Sequence, residues 1–380
     1  MVQPVKTKKD SKKKLGKVDF ALFFIIMLLV SFGVIMVYSA SSYSAFFSAN
    51  YNYDSYFFLK KQGMWAILGT AGMIFSMQID YHKYKKHIPW VLVVIFTMLG
   101  AVFAFPEING AHRWIGFGGA SIQPSEIAKY AIVVFIAIAI DKKGDGIKKF
   151  STGILPILLV VALFAGIILI EPNMSIACVI CFVTMIMLFV GGIPLKYFGA
   201  LGATGVVAIV AGILLEPFRV KRLFNFVNPW ADASGVGYQL VQSLIALGSG
   251  GIFGVGLGQS RQKCFYIPEA HNDFIFAIIG EELGLIGCAA VIILYVLFII
   301  RGIRVAVRAK DTYGSLLAIG ITSVVAVQAI INIAVVSGSM PVTGVPLPFI
   351  SYGGSALVFN MFAMGILLNI SRNTEKKSML

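Results

Sequence analysis

The sequence predicts an all-α, polytopic integral membrane protein of about ten transmembrane helices. Of its 380 residues, 58% are hydrophobic and only 13% are charged, and the mean hydropathy is +0.88. Apolar runs that can cross a bilayer, which takes roughly 20 residues, recur from Phe20 to Ile370. In hydrocarbon, backbone polar groups must pair inside a helix or a closed barrel, and these runs are too long for barrel strands. They are therefore expected to be helices.

The expected spans follow one another with mostly short connections. Their bounds are 20–40, 62–79, 88–105, 122–140, 154–170, 173–191, 197–215, 273–300, 312–337 and 352–370. They form one membrane domain at 20–370, between a basic tail at 1–19 and a second tail at 371–380. The segment 216–272 is unusually long, and its apolar, glycine-rich middle suits a helix that lies in or dips into the membrane interface.

The net charge of +14 indicates membrane topology. With the N-terminus inside, the inner segments hold 22 Lys and Arg residues and the outer segments hold 8. This excess places both termini in the cytoplasm and the long segment outside. The basic residues are thus explained by topology and by contact with anionic membrane lipids, and no nucleic-acid partner is expected.

Charged residues inside apolar spans are costly, which makes them the first functional candidates. Glu126 and Lys129 in IQPSEIAKY are three residues apart on one helix face, where they can neutralise each other. Two interpretations remain open: a buried pair that fixes helix packing, or a pair that contacts a substrate.

A second acidic group lies in PEAHNDFIFAIIGEELG at the start of the eighth span. Asp273, Ala277, Gly280, Glu281 and Gly284 share one helix face, and the small residues leave that face shallow. An acid at the outer mouth of such a groove suits a lipid whose reacting headgroup lies at Asp273. Spacing alone favours a plainer interpretation, in which small residues allow close helix packing and Asp273 caps the helix.

A third group of charges is cationic and external. It comprises Arg113, Arg219, Lys221, Arg222, Arg261 and Lys263. Guanidinium groups pair bidentately with phosphate oxygens, so a pyrophosphate headgroup is one predicted ligand. Anchoring to anionic lipid in the outer leaflet is the alternative.

Three long motifs resemble the SEDS family, which contains FtsW, RodA and SpoVE. They are NPWADASGVGYQLVQSLIALGSGGIFGVGLGQSRQ, YIPEAHNDFIFAIIGEELG and GVPLPFISYGGSALV. The similarity extends over nearly the whole chain, from VYSASS in the first span to GILLNISR near the end. The GLGQSRQK run and the SYGGS motif resemble the FtsW and SpoVE branch more than the RodA branch.

The resemblance implies a peptidoglycan glycosyltransferase that acts on lipid II at the outer face of the bacterial cytoplasmic membrane, in cell division or sporulation. It places the essential acid at Asp273, as the general base for the attacking sugar hydroxyl. One carboxylate suffices, because a pyrophosphate is a good leaving group that needs charge stabilisation more than protonation.

The candidates for substrate and pyrophosphate binding come from two sources. The family motifs imply Arg113, Trp114, Glu126 and Lys129, and the charge pattern adds Arg219, Arg222 and Glu281. A divalent cation, Mg²⁺ or Mn²⁺, is the expected cofactor, with no ligands assigned and no organic cofactor. The expected partners are lipid II, a class B penicillin-binding transpeptidase, other division proteins and membrane lipids. Two alternatives share the same features: a lipid II flippase and a division scaffold without chemistry.

Overall fold

The fold is a bundle of long helices, seen in a computed structural model that describes residues 16–107, 111–117, 120–214 and 217–373. The described helices are α1 (Phe20–Phe46), α2 (Phe57–Gln78), α3 (Tyr84–Ala101), α4 (Pro124–Lys143), α5 (Leu155–Ile170), α6 (Met174–Val190), α7 (Leu195–Leu214), α8 (Pro217–Val227), α9 (Tyr238–Gly250), α10 (Ile275–Arg308), α11 (Thr312–Val336) and α12 (Gly354–Arg372). A short antiparallel hairpin, β1 (Ile115–Phe117) and β2 (Ala120–Ile122), precedes α4.

The expected helical membrane fold is confirmed. Each of the ten expected spans coincides with one long helix, and the short α8 and α9 both lie in the long segment 216–272. Seven of the described helices are long and apolar enough to cross a membrane by length and composition, and α6 is a shorter apolar helix. The remaining two, α2 and α4, are long but carry charged residues. The chain is a multi-pass membrane protein.

Helix ends follow from local chemistry. Asp19 caps α1, where its Oδ1 accepts a hydrogen bond of 3.0 Å from the backbone N–H of Leu22. Asp311 caps α11 in the same way, accepting from the N–H of Gly314 at 2.7 Å. Pro124 occupies the first turn of α4, where its missing N–H costs nothing.

Both described ends of the chain meet at one end of the bundle. The N–H of Gly16 donates to the carbonyl of Arg372 at 2.9 Å, and the N–H of Asp19 donates to Ser371 Oγ at 3.1 Å. Arg301, near the C-terminal end of α10, lies 3.6 Å from Asp19. The N-terminal end of α10, and Asp273 just before it, therefore lie at the opposite end of the bundle.

The glycine-rich segment after α9 packs against a break in α10. Gly284 has φ +64° and interrupts the helix. The N–H groups of Val255 and Gly256 donate to the carbonyls of Glu281 and Glu282, both at 3.0 Å. These contacts satisfy carbonyl groups on the N-terminal side of the break, as a membrane protein requires.

Of the two interpretations of the shallow face of α10, the structure supports close packing and not an open lipid groove. Gly250 and Gly254 lie against the backbone of α10, so closely that a Cβ at either position would collide with its carbonyl groups. The small residues Gly280 and Gly284 thus serve close backbone packing. The open space near Asp273 lies instead among several other helices.

Candidate active site

A large cavity opens at the end of the bundle opposite both described chain ends. Its volume is about 1370 Å³, well above the roughly 300–1,000 Å³ of pockets that hold one small ligand. Its walls come from α2, the segment around the β-hairpin, the start of α4, α6, α8, and the segment between α11 and α12. Asp273, Arg113, Trp114, Glu126 and Arg222 all contribute to its lining.

Asp273 is held by its backbone. Asn332 Nδ2 on α11 donates to the carbonyl of Asp273 and to that of Val345, both at 2.7 Å. Ser351 Oγ donates to the carbonyl of the preceding residue, Asn272, at 2.7 Å. These bonds leave the Asp273 carboxylate unused, half-buried and facing the cavity. They fix its position without changing its chemistry.

The surroundings adjust the acidity of Asp273. Burial raises the pKa of its carboxyl to about 6, with a further increase from the nearby Glu269 charge. The positive charges of Arg113 and Arg222 act in the opposite direction and lower that pKa. A carboxylate with a pKa just below neutral is largely ionised at pH 7 and still accepts a proton readily, as a general base requires.

Two arginines flank this carboxylate and are held by carbonyl oxygens. Arg113 donates to the carbonyls of Glu171, at 3.2 Å from Nε, and Pro172 in the turn between α5 and α6. Arg222 Nη1 on α8 donates to the carbonyl of Val342 at 3.2 Å. Burial lowers the pKa of both guanidinium groups, yet arginine stays protonated in proteins. These two arginines therefore place fixed positive charge beside Asp273.

We expect the Arg113→Gln variant to shift the pH dependence of activity. Loss of the Arg113 charge raises the pKa of Asp273, so the acid limb of kcat/KM moves from about pH 6 to higher pH. The Arg113→Lys variant keeps the positive charge but lacks the planar guanidinium group, which can donate two parallel hydrogen bonds. Its kcat/KM should fall, while the acid limb of its pH profile should move much less than in Arg113→Gln. Equal midpoints for wild type and Arg113→Gln would contradict this electrostatic coupling.

Beneath Arg113 lies an acid that the sequence did not single out. Glu171 is fully buried, and neither carboxylate oxygen has a hydrogen-bond partner among the described residues. Burial raises the pKa of its carboxyl to about 8, against a smaller opposing effect of Arg113. Glu171 is thus neutral at pH 7 and leaves the charge of Arg113 available to a ligand.

The Glu171→Gln variant should change how stability depends on pH. The folded-state pKa of about 8 lies above the ordinary value of 4.5, so Glu171 binds a proton on folding and stability falls as pH rises between these values. Glutamine cannot titrate. Thermal unfolding of the two proteins from pH 5 to 8 should therefore show a steeper loss in the wild type, and parallel curves would contradict a buried neutral Glu171.

Glu126 and Lys129 form a buried pair at the floor of the cavity. Lys129 Nζ lies 2.8 Å from Glu126 Oε2 and donates to Gln328 Oε1 on α11 at 3.0 Å. Glu126 lines the cavity, whereas the Lys129 side chain is completely covered. The arrangement is compatible with both a packing role and a substrate-contacting role for the pair. Lys129 connects α4 to α11, and the Glu126 carboxylate lines the cavity.

Glu281 is not among the residues lining the cavity. Its carboxylate accepts from the hydroxyl of Ser260 and from the backbone N–H groups of Arg261 at 3.0 Å and Gln262 at 3.3 Å. It thus anchors the segment that leads to Asp273, and the structure does not place it with the substrate-binding candidates. The side chain of Arg219 lies outside the described part of the chain.

The described residues of the cavity do not bring together the ligand atoms that a resident divalent cation would need. Within the described ranges, no group of three or more His, Cys, Asp and Glu side chains converges on one point. Asp273 has two arginines beside it, which oppose a second positive charge at the same place. These residues do not fit a dedicated metal site.

Together, the helices and the cavity define a class: multi-pass membrane proteins with a cavity at one end of the bundle, in which an acid, Asp273, lies beside arginines. The family model described as Cell cycle protein, which covers FtsW, RodA and SpoVE, matches residues 20–376. The chain belongs to this family.

Two curated relatives show the extent of the similarity. Stage V sporulation protein E of Bacillus subtilis is 44% identical over 358 residues, which cover 93% of this chain and 97% of that protein. A probable peptidoglycan glycosyltransferase FtsW of Trichlorobacter lovleyi is 41% identical over 364 residues, covering 94% of each chain.

Solved structures support the fold. A chain from a peptidoglycan synthase complex, solved to study the coordination of polymerisation and crosslinking, matches with a TM-score of 0.78 at 24% identity, covering 95% of this chain and 99% of its own length. The rod shape determining protein RodA of Thermus thermophilus matches with a TM-score of 0.70 at 24% identity, covering 95% and 98%.

Proposed function

We propose that this protein is a peptidoglycan glycosyltransferase that polymerises glycan strands from lipid II, with Asp273 as the general base. The observation that carries the proposal is the Asp273 carboxylate, open to a large cavity and flanked by Arg113 and Arg222. The curated relatives named peptidoglycan glycosyltransferase, about 40% identical over nearly the full chain, support the same activity.

The cavity faces the outer side of the bacterial cytoplasmic membrane in this proposal. The excess of Lys and Arg in the inner segments supports cytoplasmic termini. Because Asp273 lies at the opposite end of the bundle from both described chain ends, it then faces the side where new wall is laid down.

The reaction follows from the charges in the cavity. Asp273 accepts the proton of an acceptor sugar hydroxyl, and the hydroxyl oxygen forms a bond to the anomeric carbon of the donor. The bond between that carbon and the lipid pyrophosphate breaks, and the pyrophosphate leaves with the electron pair. Attack opposite to the leaving group inverts an α-linked donor to a β-linked product.

Arg113 and Arg222 stabilise the departing pyrophosphate. Their guanidinium groups are fixed by carbonyl oxygens before substrate binds, so little reorganisation is needed as negative charge develops. A divalent cation remains a proposal from the family resemblance: it would supply further positive charge to the leaving group, and no residues of this cavity are assigned to hold it.

A class B penicillin-binding transpeptidase is the proposed partner, because new strands must be crosslinked. Similarity to a chain from a peptidoglycan synthase complex that couples polymerisation to crosslinking supports this partner. Other division proteins and membrane lipids are the remaining proposed partners.

The test uses purified protein in proteoliposomes with lipid II, a divalent cation and the cognate transpeptidase. Glycan polymer, resolved by length on a gel, is the expected product. Transfer of labelled lipid II between leaflets, measured in the same vesicles, addresses the flippase alternative. Transport without polymer would favour a flippase, and neither activity would favour a scaffold.

A further inference from the structure

The cavity has a third cation, which comes from a different helix than the two arginines. Lys61, in the first turns of α2, lines the cavity together with Met64 and Trp65. Its side chain is half-buried, and its Nζ lies 4.4 Å from the centroid of the Phe57 ring. No carboxylate pairs with Lys61 in the part of the chain that the structure describes. The neighbouring Lys60, by contrast, is exposed and pairs with Asp54 at 2.7 Å.

The two cationic regions belong to different walls. Arg113 is anchored to the turn between α5 and α6, and Arg222 to Val342 in the segment before α12. Lys61 is carried by α2, a helix that packs against α12 and α1. On this side Trp65 packs against Gly354 at the start of α12, and both residues face the cavity.

Each wall continues into an apolar surface. On the side of α6, α7 and α8, the cavity is lined by Phe182, Ile213 and Leu223, and Leu223 follows Arg222 in the sequence. On α2, Met64 and Leu68 follow Lys61 at the third and seventh positions, so they share its helix face, and both are 48% exposed. An isoprenoid chain could therefore leave the cavity on either side while its phosphates remained at a cation.

The proposed reaction needs two such places. When lipid II is the only saccharide present, the first coupling joins two molecules, each of which carries a lipid pyrophosphate. The donor loses its pyrophosphate, and the acceptor keeps its own. A cavity of about 1370 Å³ exceeds the volume expected for one small ligand, which is consistent with two headgroups in it together.

We propose that Lys61 forms a second pyrophosphate site, which holds the lipid-linked acceptor while Arg113 and Arg222 hold the donor. This inference rests on the proposed polymerase activity and extends it. Lysine suits the role because an ammonium is a mobile point charge that binds phosphate without demanding one orientation. The indole of Trp65 beside it offers an apolar face for the attached sugar ring.

A single-coupling assay separates the two sites. The donor is a lipid II analogue in which the attacking hydroxyl is replaced by hydrogen, so it cannot accept. The acceptor is an analogue in which a methylene group replaces the anomeric oxygen, so it cannot donate. One disaccharide is then transferred, and the rate is measured while either analogue is varied with the other saturating.

The Lys61→Met variant should raise the KM for the acceptor analogue about tenfold, the scale of one charge-assisted hydrogen bond, with the KM for the donor and kcat little changed. The Lys60→Met variant is the matched control and should match the wild type in all three constants. The acceptor effect should also shrink at high salt, because it is electrostatic.

The outcomes are distinct. A raised donor KM in Lys61→Met, or equal constants in the Lys61→Met and Lys60→Met variants, would overturn the assignment while leaving the polymerase intact. No coupling by the wild-type protein would instead refute the proposed function. The thermal stability of both variants, measured in the same detergent, separates loss of binding from loss of fold.

Discussion

Replacement of Asp273 by asparagine is expected to reduce glycan polymerisation by about 10²- to 10⁴-fold, the range by which a positioned general base accelerates a reaction. Asparagine has nearly the same size and cannot accept the proton. The bonds that position this residue run from Asn332 to its backbone carbonyl and from Ser351 to the carbonyl of Asn272, so the substitution leaves them in place. The measurement is the initial rate of polymer formation from lipid II, alongside thermal stability.

Glu269→Gln is the matched control for that substitution. It also replaces a carboxylate at the cavity by an isosteric amide, whose oxygen can still accept the 2.9 Å hydrogen bond from Asn272 Nδ2. The negative charge of Glu269 raises the pKa of Asp273, and the amide removes that charge. The Glu269→Gln variant should keep its polymerisation activity at pH 7. The acid limb of its pH–activity profile should move to lower pH. If Asp273→Asn polymerised lipid II at the wild-type rate, Asp273 would not be the general base.

The helical membrane fold was largely predictable from the sequence, because each apolar run must be long enough to cross the bilayer as a helix. The expected spans 20–40 and 273–300 became α1 and α10, which extend to Phe46 and Arg308, past the expected limits. Those extensions are amphipathic or charged, so hydropathy alone ends the span too early. The family motifs implied that Asp273 is the essential acid, and the structure adds that it lies just before α10 and lines a cavity.

Other parts of the site could not be predicted, because they depend on contacts between residues far apart in the sequence. Lys61 looks like an ordinary loop charge beside Lys60, and only the packing of α2 on α12 brings it to the cavity. Glu171 resembles a residue at a helix end, and its complete burial follows from the turn beneath Arg113. Glu281 shared a helix face with small residues, but the segment after α9 occupies that face.

Loss of Lys263 should cause the largest change in stability. Lys263 Nζ lies 2.9 Å from Glu282 Oε1, and both side chains are almost completely buried. Ser39 Oγ donates to the same carboxylate, at 2.8 Å from Oε1 and 2.6 Å from Oε2. Removing one partner of a buried ion pair typically costs about 3–5 kcal/mol, because the other charge is left uncompensated. The Lys263→Met variant should therefore unfold at a markedly lower temperature.

A second substitution identifies the cause of that loss. Glu282→Gln, introduced into Lys263→Met, removes the uncompensated charge and keeps an acceptor for Ser39, so it should restore much of the lost stability. Lys148→Met is the surface control, since Lys148 pairs with Asp145 where both side chains are exposed, and such pairs contribute about 0–1 kcal/mol. The Lys263 pair also secures the segment that leads to Asp273. If the double variant were no more stable than Lys263→Met, lost packing of the lysine stem, and not the buried charge, would explain the effect.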